Sequence, residues 1–253
     1  MKILSTILLN FLLLVSCSSS EKVASVNSST ENVEEGFLHD QCLEDCNNLG
    51  TLQLDAEIPE LAESNSVFQI KGLGCNSLQY GTGFFVKENI VVTSAHVVAG
   101  VNSPEIFYNG VGFDLHFISF DPNSDLAILR SQNFTGKPLR LGEAQKDDLG
   151  TVIAYIKDGK KVVREVKIRE KILAIGKDIF GQPGESREAL SLEAKIESGF
   201  SGAPVINDNS EVIGVIFSRS RGGESTAYAV QSSEVEKILT EEVDLSSSTG
   251  CIP

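Results

Sequence analysis

The sequence predicts an all-β protein closed by one C-terminal helix. From Val67 onward, short β-type runs recur with turn-forming residues between them. Within many of these runs β-branched and aromatic residues alternate with polar ones, the period of a half-buried strand. Helical periodicity is clear only over Ser233 to Glu241, where Val235, Ile238 and Leu239 share a face. Many short strands followed by one helix indicate a barrel or a sandwich.

Taken in order, Val67–Ile70 alternates, and Gly81–Val86 and Ile90–Val92 flank a Lys87-Glu88-Asn89 turn. That hairpin delivers His96 to its end. Further strands are expected at Glu105–Tyr108, Asp114–Phe120, Leu126–Arg130, Thr151–Ile156 and Lys161–Ile168. The series ends with Leu190–Ile196, Ala203–Ile206, Glu211–Phe217 and Thr226–Val230. Lys157, Lys160, Lys161, Arg164, Lys167, Arg169 and Lys171 cluster around one predicted hairpin. Alternating charges there read first as a solvated face, and second as a surface for an anionic partner or for the acidic N-terminal segment.

The chain has 253 residues and a formal charge of −14. Residues 18–65 hold eleven acids and one base, Lys22, so most of the acidity lies there. Neither the acidic N-terminal segment nor the rest of the chain, taken whole, carries the basic footprint of a nucleic-acid binder. Met1-Lys2 and the apolar stretch Ile3–Val15 form an export leader too short for a convincing membrane span. Its end, Leu14-Val15-Ser16-Cys17, resembles a bacterial lipobox, which implies cleavage after residue 16 and acylation of Cys17. The following Ser18 resembles sorting signals for the outer membrane. The expected organisation is a lipoprotein signal peptide (1–16), an acidic, serine-rich tether (17–65), a globular body (66–242) and a tail (243–253). An exported chain with four further cysteines, Cys42, Cys46, Cys75 and Cys251, suggests two disulfides of open connectivity. His39 lies near Cys42, but the spacing fits no usual zinc pair, and neither a metal nor a cofactor is expected.

The chemistry centres on Glu197-Ser198-Gly199-Phe200-Ser201-Gly202-Ala203-Pro204. A serine between glycines suits a nucleophile on a tight turn, and the N–H groups of Gly199 and Ser201 would form an oxyanion hole. A serine hydroxyl needs a base, and His96 in Thr93-Ser94-Ala95-His96 can take and return its proton. Asp125, in Asp125-Leu126-Ala127-Ile128-Leu129, would fix the imidazole tautomer. These three motifs resemble the signatures of trypsin-like serine proteases. Glu211–Val215, Ala227–Val230 and the closing helix resemble their bacterial HtrA-type and glutamyl-endopeptidase branch. The resemblance spans roughly Val67 to Thr240, and the order His, Asp, Ser differs from subtilisins and α/β-hydrolases.

The resemblance implies two six-stranded antiparallel β-barrels with the active site between them, the chymotrypsin-like fold. His96 and Asp125 would come from the first barrel and Ser201 from the second. Phe200 stands where trypsins place the aspartate that pairs with a newly cut N-terminus, so no such activation switch is expected. In the primary pocket, Lys195 occupies the position of the trypsin aspartate and, pointing inward, would favour acidic substrates. Alternatively Ile196 and the strand Val215, Ile216, Phe217 and Ser218 form a small aliphatic pocket, with Lys195 facing solvent. HtrA-type proteases usually continue into a peptide-binding PDZ domain, which is not expected here. The leading expectation is an envelope-tethered serine endopeptidase acting on a protein or peptide. A catalytically silent protease-fold binding module and an esterase are the alternatives.

Overall fold

The computed structural model describes residues 64–220, 225–240 and 249–253. The leader, Cys17, nearly all of the acidic tether, Cys42 and Cys46 lie outside the described residues. Alternation along the first strands decides what each side chain meets. In β1 (Val67–Gly74), Phe68 and Ile70 enter one core cluster while Val67 enters another. β2 (Ser77–Lys87) and β3 (Ile90–Ser94) do the same: Phe85 and Val91 point one way, Phe84 and Val92 the other. β3 is consequently buried on both faces.

After β3 the chain makes a one-turn helix, α1 (Ala95–Val98), then β4 (Glu105–Tyr108), β5 (Val111–Asp121) and β6 (Leu126–Ser131). These six strands close into an antiparallel barrel in the order β1-β2-β3-β6-β5-β4. Its interior holds Phe68, Ile70, Phe85, Val91, Ile106, Leu115 and Leu129. Phe134 covers one side, packing edge-on to Phe68 at 5.1 Å.

The second half consists of β7 (Arg140–Leu141), β8 (Leu149–Tyr155), β9 (Lys161–Ala174), β10 (Arg187–Glu193), β11 (Pro204–Ile206), β12 (Glu211–Arg219) and β13 (Thr226–Gln231). The order β11-β8-β9-β10-β13-β12 closes on itself through a β11–β12 pairing, giving a second six-stranded antiparallel barrel. The short β7, which lies outside the expected strands, joins β12 in parallel. β10 stops at Glu193, short of the expected Ile196, and β9 runs beyond the expected Ile168.

Residues facing outward from both barrels form a third apolar cluster that includes Val67, Phe84, Leu126, Ile153, Ile206 and Val215. Val235 and Ile238 of the C-terminal helix α2 (Ser232–Thr240) bury into this same cluster. Glu234 Oε1 accepts the Glu188 N–H at 2.8 Å, which ties α2 to β10. Cys75 pairs with Cys251, joining the β1–β2 turn to the last residues of the chain. Three cations of the basic hairpin meet acids of the body: Arg164 with Glu197, Lys167 with Asp147 and Arg169 with Glu193.

Candidate active site

α1 carries His96 directly after β3 of the first barrel. Ser94 precedes it with extended backbone, and Ala95, Val97 and Val98 bury on the other side of the turn. Asp125 binds this turn three times. Its carbonyl accepts the Ala95 N–H at 3.0 Å, its Oδ1 the His96 N–H at 2.9 Å, and its Oδ2 meets His96 Nδ1 at 2.7 Å. To do so Asp125 adopts φ 61°, a left-handed conformation uncommon outside glycine and a form of strain found at functional sites. Burial pulls the His96 pKa down, but attraction to the Asp125 carboxylate and the hydrogen bond outweigh it, leaving the pKa above 6.5. The His96 side chain keeps 28% of its surface exposed.

Ser201 is the second residue of the latter of two consecutive turns. Phe200 N–H donates to Glu197 O at 3.2 Å with Gly199 at φ +102°, and Ala203 N–H donates to Phe200 O at 2.9 Å with Gly202 at φ +83°. A positive φ at the third residue alone marks each as type II, which requires glycine there. The two turns share Phe200, whose side chain is fully buried in the core of the second barrel. Among the described residues, the N–H groups of Gly199 and Ser201 donate to no protein acceptor. They are the pair expected for an oxyanion hole.

The turn is stitched to the first barrel through Thr82, a buried residue of β2 that sequence reasoning missed. Thr82 N–H donates to Ser201 O at 2.8 Å and its Oγ1 to Gly199 O at 2.8 Å, while Oγ1 accepts the Tyr155 N–H at 2.9 Å. Next to it, a Cβ at Gly81 would lie 2.8 Å from Ser201 O and 2.6 Å from a Val97 methyl. That single position separates the serine turn from the histidine helix. Ser94 Oγ and Gly202 N–H both donate to Ile216 O, at 3.0 and 2.8 Å. The structure thus joins His96 to Asp125 directly and sets the serine turn against the histidine helix, through Gly81 and through the Ile216 carbonyl that Ser94 and Gly202 share. Among the described residues no hydrogen bond links His96 to Ser201, and such bonds are often long in unliganded sites. The Gly-Thr-Gly run at 81–83 was the available signal for Thr82.

A cavity of about 350 Å³ opens beside Ser201. Ile196, Phe217 and Ser218, three of the residues named for the pocket from the sequence, line it, joined by Glu197, Ser198 and Arg219, which sequence reasoning did not assign to the pocket. Its wall does not include Lys195, Val215 or Ile216. Lys195 is exposed between the buried Ala194 and Ile196, so the alternation of the strand carries past its end at Glu193 and turns this side chain to solvent. Val215 and Ile216 are fully buried, in the inter-barrel cluster and the second barrel's core. Ser198 Oγ and the Tyr80 hydroxyl are 2.7 Å apart on the rim, and Arg164 Nη2 donates to Glu197 Oε1 at 3.3 Å. Among the described residues no group of three or more His, Cys, Asp or Glu side chains is placed to hold a metal.

A family model described as the trypsin-like peptidase domain matches residues 81–215. Serine protease Rv3671c of Mycobacterium tuberculosis H37Rv is 33% identical over 179 residues, 69% of this chain and 45% of its own. The chain therefore spans about half the length of the curated relatives it matches. The crystal structure of the Rv3671c protease in its active form superposes with a TM-score of 0.71 at 31% identity, covering 76% of this chain and 88% of that one. The HtrA-type protease AlgW with tripeptide shares the fold, with a TM-score of 0.60 at 18% identity, covering 70% of this chain and 59% of that one.

Proposed function

The chain belongs to the trypsin-like peptidase family, and from that premise we propose that it is a serine endopeptidase acting through His96, Asp125 and Ser201. The observation that carries the proposal is the 2.7 Å contact of Asp125 with His96 Nδ1, and the double turn of Ser201 packed beside that helix at Gly81 supports it. Ser201 Oγ attacks the peptide carbonyl carbon while His96 Nε2 takes the hydroxyl proton. Asp125 holds the tautomer that leaves Nε2 unprotonated and stabilises the imidazolium. The carbonyl oxygen, now negative, receives the N–H groups of Gly199 and Ser201. His96 returns its proton to the leaving amine, and the acyl group remains on Ser201. A water then gives its proton to His96 and attacks the ester carbonyl, releasing the acid and restoring Ser201.

A fluorophosphonate probe tests this directly. It should label the purified protein at Ser201, and Ser201→Ala should abolish both labelling and peptide hydrolysis. Labelling equally strong in Ser201→Ala would refute the assignment. Anchoring in the bacterial envelope, on the periplasmic face of the outer membrane, is the companion proposal, supported by the lipobox-like sequence ending at Cys17. Several acyl chains on Cys17 would give stable attachment where a single chain would not. Radiolabelled fatty acid should enter the wild-type chain but not Cys17→Ser; equal incorporation in both would exclude that anchor.

A further inference from the structure

Resting on the reading of Ser201 as the acylated nucleophile, we propose that Arg219 makes the adjoining cavity selective for an acidic side chain on the substrate residue that precedes the scissile bond. Arg219 ends β12 and lines the cavity beside Ser201. Among the described residues its guanidinium has neither an ion-pair nor a hydrogen-bond partner. Among the described residues Glu197 is the one carboxylate on the cavity wall, and Arg164 already holds it at 3.3 Å. A third guanidinium, that of Arg187, lies over the Phe217 ring at 4.6 Å from its centroid. Among the described residues, lining groups and their immediate partners thus set three cations against one carboxylate.

The rest of the cavity suits a short acid with an apolar stem. Ile196 and Phe217 offer carbon surface to methylene groups. Ser218 and Ser198 bring hydroxyls, and when the Tyr80 hydroxyl donates to Ser198 Oγ, the serine O–H is free to donate into the cavity. Guanidinium and hydroxyl donors converging on a carboxylate form charge-assisted hydrogen bonds, about twice as strong as neutral ones. A basic substrate side chain would meet Arg219 as a like charge. An aliphatic one would cover polar donors with nothing to accept from them. The determinant is therefore Arg219, not the exposed Lys195 and not a purely aliphatic wall.

The test measures inactivation rates by peptidyl diphenyl phosphonates identical except at the first position, which carries a glutamate, leucine or lysine side chain. The wild-type protein should react with the glutamate analogue roughly tenfold or more faster than with the other two. Arg219→Gln should remove the preference, and Arg219→Glu should reverse it toward lysine, with thermal melting verifying that both variants fold. Because the cavity is open, the preference should also shrink as salt rises. A wild-type preference for leucine or lysine, with fluorophosphonate labelling intact, overturns the proposal and leaves the protease reading standing. A glutamate preference that survives in Arg219→Glu overturns Arg219 as its source. Failure of folded protein to react with fluorophosphonate and every phosphonate overturns the protease reading, and this proposal falls with it.

Discussion

Gly199→Ala separates the chemistry of the serine turn from its stability. At φ +102° an alanine pays roughly 1–2 kcal/mol of backbone strain. Its Cβ would also overlap Tyr155 O and lie 2.9 Å from Ile156 Cα. Tyr155 cannot retreat easily, because its N–H is held by Thr82 Oγ1. The accessible relief is to turn the Ser198–Gly199 peptide over, converting the type II turn into a type I turn that any residue tolerates. The flip rotates the residue 199 N–H away from the position of the oxyanion. Losing one such donor costs about 2.7–4 kcal/mol of transition-state stabilisation, or roughly 10²–10³ in kcat. Unfolding should feel only the residual strain, a loss of about 2–8 °C in Tm for a body of this size. The assay pairs kcat on a peptide substrate with a calorimetric melt. A variant retaining kcat within about tenfold of wild type would refute the link between turn type and the oxyanion hole.

The acidic limb of kcat/KM should have its midpoint above 6.5, because the base must be neutral and the His96 pKa is raised. Asp125→Asn removes both influences that raise it and leaves burial, so an NMR titration should move the His96 midpoint below 6.5 while kcat falls by about 10⁴. The same shift has a stability consequence of defined sign: the His96–Asp125 contribution is fully present below pH 6.5 and is lost as pH rises through the raised value, which pH-dependent urea unfolding would detect. Thr82→Val leaves Gly199 O and Tyr155 N–H without their partner, at about 1–3 kcal/mol for each buried group, and should lower kcat roughly 10- to 100-fold. Thr82→Ser should restore most of kcat, and equal loss in both variants would remove the hydroxyl from the explanation. Cys75→Ser opens a cross-link between residues 176 positions apart and should lower urea-unfolding stability by about 2–5 kcal/mol.

How far these residues could be read from the chain depends on the range of the interaction that places them. His96, Asp125 and Ser201 were legible because each lies in a local motif whose neighbours are dictated by its own turn or strand end. The β-strands were legible by alternation, and β3 in particular by a run apolar on both faces. Alternation fails in β12. Its pairing is irregular between Val205 and Ile206 of β11 and again between Ile216 and Ser218, so Ile213 and Ile216, three apart, share one core. A bulge moves every later side chain to the other face, whereas the resemblance named the contiguous run Val215–Ser218 without saying which of its side chains face the cavity, and it did not extend to Arg219. Thr82 was missed for a different reason. Its partners Gly199 and Tyr155 are 117 and 73 residues away, and no periodicity records such a contact. The disulfide is the same case, since spacing alone leaves its connectivity open and only the barrel brings Cys75 to Cys251.

The position before the nucleophile shows how the turn keeps its shape without a charged anchor. Phe200 ends one type II turn and begins the next, and its ring is completely buried with Leu190, Val205 and Ile213 of the second barrel. Burying a phenylalanine is worth about 1.5–3 kcal/mol, so the point where the two turns meet is fixed by the same apolar burial that folds the barrel. Thr82 fixes the carbonyls on either side of it. Both constraints are internal to the body, and the expectation from Phe200 that no ion pair from a newly cut amino terminus is needed is open to test. Phe200→Ala should therefore fail differently from Gly199→Ala. The cavity it leaves costs about 3–5 kcal/mol of stability, and fluorophosphonate labelling should fall along with Tm because the shared anchor of both turns is gone. Were Phe200→Ala to keep both its melting temperature and its labelling rate, the turn would have to be held from elsewhere, and a charged or covalent anchor outside residues 64–220 would become the first place to look.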